Sequence, residues 1–199
     1  MHMVTDLAPG TKQRLVAAMT DGLQRRGLHG TGISDVLREA GAPKGVLYHH
    51  FPDGKTGLAL ASIEQSIGII TGWLDVALEK YPDPLEAIER WVRAASRRLS
   101  ETDFEAGCPL ATIALETTAA DVEVRTALAA AFAHLRARMA EALAAAGTPN
   151  AEGLAVLIVA TYEGGLLQAR VANSVVPLQL ASETLGTLIR AQRESQVSA

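Results

Sequence analysis

Apolar residues recur every three or four positions along most of the chain, in segments that glycine and proline interrupt. The clearest example is a seam of six residues that steps by 4, 3, 4, 4 and 3: Ile63, Ile67, Ile70, Leu74, Leu78 and Tyr81. Such spacing places every member on one face of a helix. Alanine, the strongest helix former and a poor strand former, occurs 35 times in 199 residues. Together these features predict an all-α fold.

The breaks between apolar segments divide the chain into about nine predicted helices. These span approximately residues 11–26, 31–40, 43–51, 55–81, 85–100, 109–118, 121–146, 150–172 and 177–193. Thr31, Asp121 and Asn150 are the predicted N-caps, and Gly27 is the predicted stop of the first helix. We expect a three-helix head at residues 1–58 and a larger helical domain at residues 59–199.

Several classes of protein are disfavoured by the remaining composition. The single cysteine, Cys108, excludes an internal disulfide framework and a zinc site built from several thiolates. Residues 1–10 lack the basic and apolar pattern of a signal peptide, and the strongly apolar run at 154–162 is too short to span a bilayer. Adjacent His49 and His50 would point about 100° apart on a helix, a poor arrangement for one metal ion. We therefore expect a cytoplasmic protein with no membrane partner, metal or cofactor.

Charge is distributed unevenly between the two predicted domains. The head has seven Lys and Arg against five Asp and Glu, a balance of +2, although the whole chain carries −4. The remaining residues therefore carry −6, by subtraction. A basic region on an acidic chain can accompany nucleic-acid binding, although +2 is small enough to arise by chance.

Residues 31–51 predict a helix, a tight turn that contains Gly41, and a second helix. This is the helix-turn-helix arrangement, whose second helix enters the DNA major groove. Leu47 and Phe51 would pack against the first helix. Lys44, Gly45, Tyr48 and His49 would remain outward, where their side chains and an unobstructed backbone can approach phosphates and base edges.

The same segment resembles the DNA-binding domain of the TetR family of transcriptional repressors. The matching residues are Thr31, Ala40-Gly41, Gly45, Leu47 to Phe51, and Lys55 at the start of the next helix. The resemblance implies that Thr31, Tyr48 and Lys55 hold the DNA backbone. It also implies that Pro43, Lys44, Gly45 and His49 face the groove. Pro43 is a departure, because many relatives have a small polar residue there.

A shorter resemblance, to the LmrA/YxaF-like branch of the family, involves Gly107 to Ala111 and Ala114 to Glu116. It implies a pocket for a small effector in the larger domain. The candidate effector-binding residues are the aromatics Trp73, Trp91, Phe104 and Tyr162, with Cys108, Glu116, Glu163 and Gln168. Ordinary core packing is the alternative role for each aromatic residue.

The resemblance further implies a homodimer in which the last two helices pair with their symmetry mates. Residues 154–162 contain no charge, so that helix would be covered on all sides. The residues predicted to form the dimer contact are Leu154, Leu157, Ile158, Gly165, Leu166, Leu185 and Ile189. Such a dimer would present two heads to a palindromic operator.

The predicted function is a transcriptional repressor, not an enzyme, that a small apolar or aromatic effector releases from its operator. The helix predicted at 55–81 would join the effector pocket to the head. Two alternatives remain open from the sequence. One is a helical interaction module that does not bind DNA. The other uses Cys108 as a redox sensor or as a nucleophile, with His134 as the available base.

Overall fold

The computed structural model describes residues 10–197, with side chains described to residue 195. Residues 1–9, on which the signal-peptide expectation depends, lie outside the described residues. Within the described part of the chain the fold has nine helices and no strand, so the all-α prediction is confirmed. The helices are α1 (Thr11–Gly30), α2 (Ile33–Glu39), α3 (Lys44–His50), α4 (Lys55–Lys80), α5 (Pro84–Glu101), α6 (Pro109–Glu116), α7 (Val122–Ala145), α8 (Ala151–Ala172) and α9 (Val176–Val197).

The head consists of α1, α2 and α3 packed around the buried side chains of Leu15, Met19, Val36, Leu47 and Phe51. Spacings of three and four residues bring these side chains onto facing surfaces of short helices. The predicted stop of the first helix is present as a break, because Gly27 has φ 73° and ψ −175° while helical structure resumes after it. A positive φ of this size is favourable only for glycine.

Helix α4 leaves the head and passes into the larger domain without a break. It packs against α1 on one side and against α5 and α7 on others, while α7 packs on α8 and α8 on α9. The expected domain boundary at residue 58 falls inside this helix and remains a prediction. By length and composition alone α4 and α8 could each span a bilayer. However, their apolar faces supply core residues such as Leu74 and Ile158, which accounts for that apolar character.

The predicted helix starts are correct to within two residues, and Asp121 and Asn150 occupy the predicted N-cap positions of α7 and α8, but none of the three predicted caps forms a side-chain capping bond and the N-cap of α2 is Gly32 instead of Thr31. Thr31 lies two residues before α2, and its hydroxyl donates to the Gly27 carbonyl at 2.6 Å. Asp121 accepts from the Thr118 amide at 2.7 Å instead of bonding into α7. Asn150 precedes α8 in a left-handed conformation and makes no side-chain cap bond. In this chain, a polar residue near a helix start therefore predicts where the helix begins, but it does not predict which hydrogen bond that residue's side chain forms.

Candidate DNA-binding, effector-binding and dimer surfaces

Helix α3 presents one continuous exposed face. Leu47 is fully buried against the head, and the face opposite it exposes Lys44, Gly45, Tyr48 and His49, with Pro43 exposed just before the helix. A methyl group added at Gly45 would meet nothing within 4 Å, so its backbone is open to a large partner. These five positions are among the seven predicted to contact DNA, the others being Thr31 and Lys55. Their geometry is suited to groove insertion.

The turn between α3 and α4 positions Tyr48 and Lys55, the two side chains near it that are predicted to contact the DNA backbone. Gly54 has φ 60°, and a side-chain carbon added there would lie 3.4 Å from Cε1 of the Tyr48 ring. The ring therefore lies beside the turn that begins α4. Lys55 is half-buried at the start of that helix, where desolvation lowers its pKa and the charge of Glu116 opposes the shift.

Thr31 differs from its predicted role. The residue has no exposed surface, and its hydroxyl is already bonded to the Gly27 carbonyl. A methyl group added at Gly22 would lie 2.5 Å from the Thr31 side chain, so the residue fills a tight space between turns of the head. Thr31 therefore supports the head from inside, and the prediction that it touches DNA is wrong for this structure.

Two cavities meet at the segment that begins α6. The smaller, which we call the inner cavity, has a volume of about 90 Å³ and is lined by residues that include Trp73, Arg98, Cys108 and Tyr162. The larger, which we call the Glu163 groove, has a volume of about 400 Å³ and lies among α6, α7 and α8. Both are lined by Gly107, Cys108 and Leu166, so these three residues form the wall between them.

Cys108 and Glu163 face each other at that wall. The thiol is buried, and desolvation together with the nearby Glu163 carboxylate raises its pKa well above the usual range. A thiol that stays protonated is a poor nucleophile and a slow target for oxidants. His134, the base considered for thiol chemistry, is exposed on α7. The buried, protonated thiol and the exposed His134 therefore give no support to the enzyme and redox-sensor alternatives.

Four predicted effector-binding residues lie outside both cavities. Trp91 is buried and donates its indole N–H to the Ile70 carbonyl at 3.1 Å. Its ring packs against Tyr162 with centroids 4.5 Å apart and planes tilted by 41°. Phe104 packs against the core from the loop after α5. Gln168 is exposed on α8. Trp91 and Phe104 thus take the packing role that the sequence left open, and Gln168 is not a polar anchor of either cavity.

Glu116 is the fourth predicted effector-binding residue that lies outside both cavities. It connects α6 to the head. Its Oε2 accepts a hydrogen bond from the His29 backbone N–H at 2.7 Å. A methyl group added at Gly27 would lie 1.8 Å from Glu116 Oε1, so the carboxylate occupies the space that the glycine leaves open. Glu116 is therefore not a ligand anchor. We call the contact of Glu116 with Gly27 and His29 the α6 latch.

Two further contacts join the end of α1 to the larger domain. Arg25 forms an ion pair with Glu105, and its carbonyl accepts from the Arg170 guanidinium at 3.2 Å. Arg170 also lines the Glu163 groove. Sequence reasoning missed these contacts, because their partners lie 80 and 145 positions apart. One end of the head is thus held by α6, by α8 and by the loop between α5 and α6.

Most of the predicted dimer contact faces inward. Of the seven residues, only Leu157 is exposed. Leu154, Ile158, Leu166, Leu185 and Ile189 are buried in the core of their own chain. The prediction is therefore wrong for these side chains, because a helix that is apolar all round gives no sequence indication of which face turns inward.

Gly165 is also an intrachain residue. A methyl group added there would lie 2.5 Å from Leu178 Cδ1 and 3.1 Å from its Cα. The missing side chain therefore allows α8 and α9 of one chain to approach closely. The close approach expected of this glycine is present, but it is not made with a second copy.

An exposed apolar stripe runs along the outer faces of α8 and α9, and we call it the outer stripe. It is formed by Val156, Leu157, Leu167, Val171, Leu180 and Leu188. Val171 is 82% exposed and Leu188 62%. Exposed apolar side chains gathered on one pair of helices mark an interaction surface more often than isolated ones do.

Comparison with known proteins gives matches over both parts of the chain. Residues 15–62 match the model of bacterial regulatory proteins of the tetR family. Residues 84–184 match the model described as transcriptional regulator LmrA/YxaF-like, C-terminal domain. An HTH-type transcriptional regulator of Mycobacterium tuberculosis is 33% identical over 192 residues, which cover 92% of this chain and 96% of the relative.

Solved structures agree with this assignment. A crystal structure of a regulatory protein TetR from Rhodobacter sphaeroides has a TM-score of 0.82 at 26% identity, covering 89% of this chain and 97% of the other. The regulator CifR, solved as a cysteine mutant complexed with 26-bp operator DNA, has the same fold, with a TM-score of 0.74 at 21% identity and coverage of 87% and 94%. The chain belongs to the TetR family of DNA-binding transcriptional regulators, which are not enzymes.

Proposed function

We propose that this protein is a dimeric, cytoplasmic repressor that leaves its operator when a small apolar effector enters the larger domain. The observation that carries the proposal is the position of α6. This eight-residue helix has the cavity wall at Cys108 before its first residue and the α6 latch at its last. A ligand that displaces this helix acts on the head directly.

In the DNA complex, Lys44, Gly45 and His49 would read the major groove, with Pro43 at the entry of the helix. Tyr48 and Lys55 would contact phosphates. The exposure of all of these positions except the half-buried Lys55 supports this assignment. The similarity in fold to CifR, which was solved with double-strand operator DNA, supports the nature of the partner.

The outer stripe supports assembly as a twofold dimer through α8 and α9. A self-complementary contact of this kind would place two copies of α3 about 34–36 Å apart, one helical turn of DNA. The operator would then be palindromic. This face replaces the inward-facing residues that the sequence predicts for the dimer.

Release would follow from differential affinity of the effector for two positions of the head. Helix α4 is the connector predicted from the sequence, and the latch adds a second, shorter route through α6. Glu116 also interacts electrostatically with Lys55, at the start of α4. A coupling of about 3 kcal/mol between the sites would weaken operator binding about 150-fold.

Fluorescence anisotropy with DNA from upstream of the protein's own gene tests the DNA-binding assignment. The double variant Tyr48→Ala, Lys55→Ala should bind that DNA at least about 100-fold more weakly, because two phosphate contacts per head are lost. Tyr81→Ala with Lys80→Ala, at the far end of α4, is the matched control and should bind within about twofold of the parent. Retained binding by the head variant, with circular dichroism unchanged, would refute the assignment.

A further inference from the structure

Glu163, which lines the groove, has one unsatisfied buried polar atom in a largely apolar setting. The lining of the groove includes Ala111, Leu115, Phe132 and Leu167. Glu163 Oε2 is buried and has no hydrogen-bond partner in the described part of the chain, although the residue as a whole is partly exposed. Native structures leave few buried polar atoms unpaired, so each one calls for an explanation.

Within residues 10–195 no cation is paired with this carboxylate. Glu163 belongs to none of the ion pairs found there, and Arg170, the guanidinium of the groove lining, donates to the Arg25 carbonyl. Burial raises the pKa of Glu163 from 4.5 to about 7, and the Cys108 thiol partly offsets that shift. The other groups packed nearby are Tyr162, whose pKa burial also raises, and Arg98, whose charge acts on Tyr162.

We propose that the effector of this groove carries a protonated amine on an apolar body, with Glu163 as its anionic partner. This inference rests on the proposed function, because it takes the groove to be the effector site. The apolar walls would cover the body of the ligand, and the ammonium group would pair with the Glu163 carboxylate, one oxygen of which the described part of the chain leaves unpaired.

Other head groups fit the groove less well. An anionic ligand would meet the Glu163 carboxylate, while Arg170, the cation of the lining, already donates to the Arg25 carbonyl. The domain around the groove also has an overall balance of −6 (−4 for the chain less +2 for the head). A neutral hydroxyl would donate one hydrogen bond to the carboxylate but would leave its negative charge uncompensated, whereas a buried charge is stabilised by an opposite charge that pairs with it. A neutral acceptor would require protonated Glu163 and would bind more tightly as the pH falls.

A matched trio of ligands separates these cases: 2-naphthylmethylamine, 2-naphthylmethanol and 2-naphthoate. Isothermal titration calorimetry with the full-length protein would measure each at pH 6 and pH 8, with release of upstream DNA followed by anisotropy in the same buffers. The amine should bind at least about tenfold more tightly than the alcohol at pH 8. It should bind about tenfold more weakly at pH 6, because the ionised fraction of a group with a pKa of about 7 falls about tenfold between these values.

Two variants complete the test. Glu163→Gln keeps the shape of the side chain and should abolish both the preference for the amine and its pH dependence. Glu64→Gln, which alters an exposed carboxylate of α4, should change neither. Equal binding of amine and alcohol, tighter amine binding at pH 6, or full retention of the preference in Glu163→Gln would overturn the inference.

The outcomes also separate this inference from the proposed function. If the alcohol or the naphthoate releases DNA and the amine does not, the charge preference is refuted while the effector-released repressor stands. If none of the three binds at millimolar concentration or releases DNA, both the charge preference and the assignment of the groove as an effector site are refuted. DNA binding by the head is measured separately and is untouched by either result.

Discussion

The head and the larger domain of this protein expose their interaction surfaces in different ways. In the head, one seven-residue helix, α3, buries Leu47 and exposes the side opposite it. In the larger domain, α8 and α9 each have 22 residues and expose apolar side chains on one face while burying others. A short amphipathic helix has one possible outer face, whereas a long apolar helix has several.

This difference explains which features of the two domains could be predicted from the sequence. The nine helices and the exposed residues of α3 were predictable, because three- and four-residue spacing separates their two faces. The sequence could not predict which face of α8 turns inward, because Leu154 and Leu157 are equally apolar. Only packing against α9 and α7 distinguishes them. The roles of Trp91 and Phe104 could not be assigned from the sequence for the same reason, because only tertiary packing decides whether an aromatic side chain lines a cavity or fills the core.

Glu116 was misassigned although the sequence contains an indication of its role. It is the last residue of α6, at the end of the helix where the macrodipole disfavours a negative charge. A glutamate in that position needs a donor from elsewhere, and the interrupted end of α1 supplies the His29 amide. The identity of that donor depends on tertiary contact and could not be derived from local pattern.

The largest expected effect tests whether the exposed side of α8 forms the dimer contact while its buried side stabilises the fold. Leu157→Glu should convert the dimer to a monomer, measured by sedimentation velocity, with helicity retained and operator binding lost. Leu154→Glu places an unpaired charge in the core and should unfold the protein or lower its stability by several kcal/mol. A Leu157→Glu protein that stays dimeric would show that the outer stripe is not the interface.

An intermediate effect tests which residues of the head read the base sequence and which contact only the DNA backbone. Lys44→Ala should cost about 1–3 kcal/mol on the operator and reduce discrimination between operator and scrambled DNA. Lys55→Ala should weaken both DNAs about equally and reduce the salt dependence of binding by about one phosphate per head. Equal loss of discrimination in the two variants would contradict the assignment of Lys55 to the backbone.

A smaller effect tests the buried carboxylate of the larger domain. Because the pKa of folded Glu163 is raised from 4.5 to about 7, its protonated form favours folding, and that advantage is lost as the pH rises from about 4.5 through 7. Glu163→Gln should therefore be more stable than the parent at pH 8 by on the order of 1 kcal/mol, with little difference at pH 4.5. Urea unfolding at the two pH values measures this, and a constant difference would contradict it.

In the proposed mechanism, α6 holds the head in position through Glu116. Spin labels on Glu39→Cys, an exposed position of α2, can report the distance between the two heads, because Cys108 is buried and resists labelling. We predict that adding Glu116→Ala shifts or broadens the distance distribution while the sedimentation mass stays that of a dimer. Glu123→Ala, at an exposed site of α7, should leave it unchanged. A distribution in Glu116→Ala identical to that of the parent would show that Glu116 does not position the head.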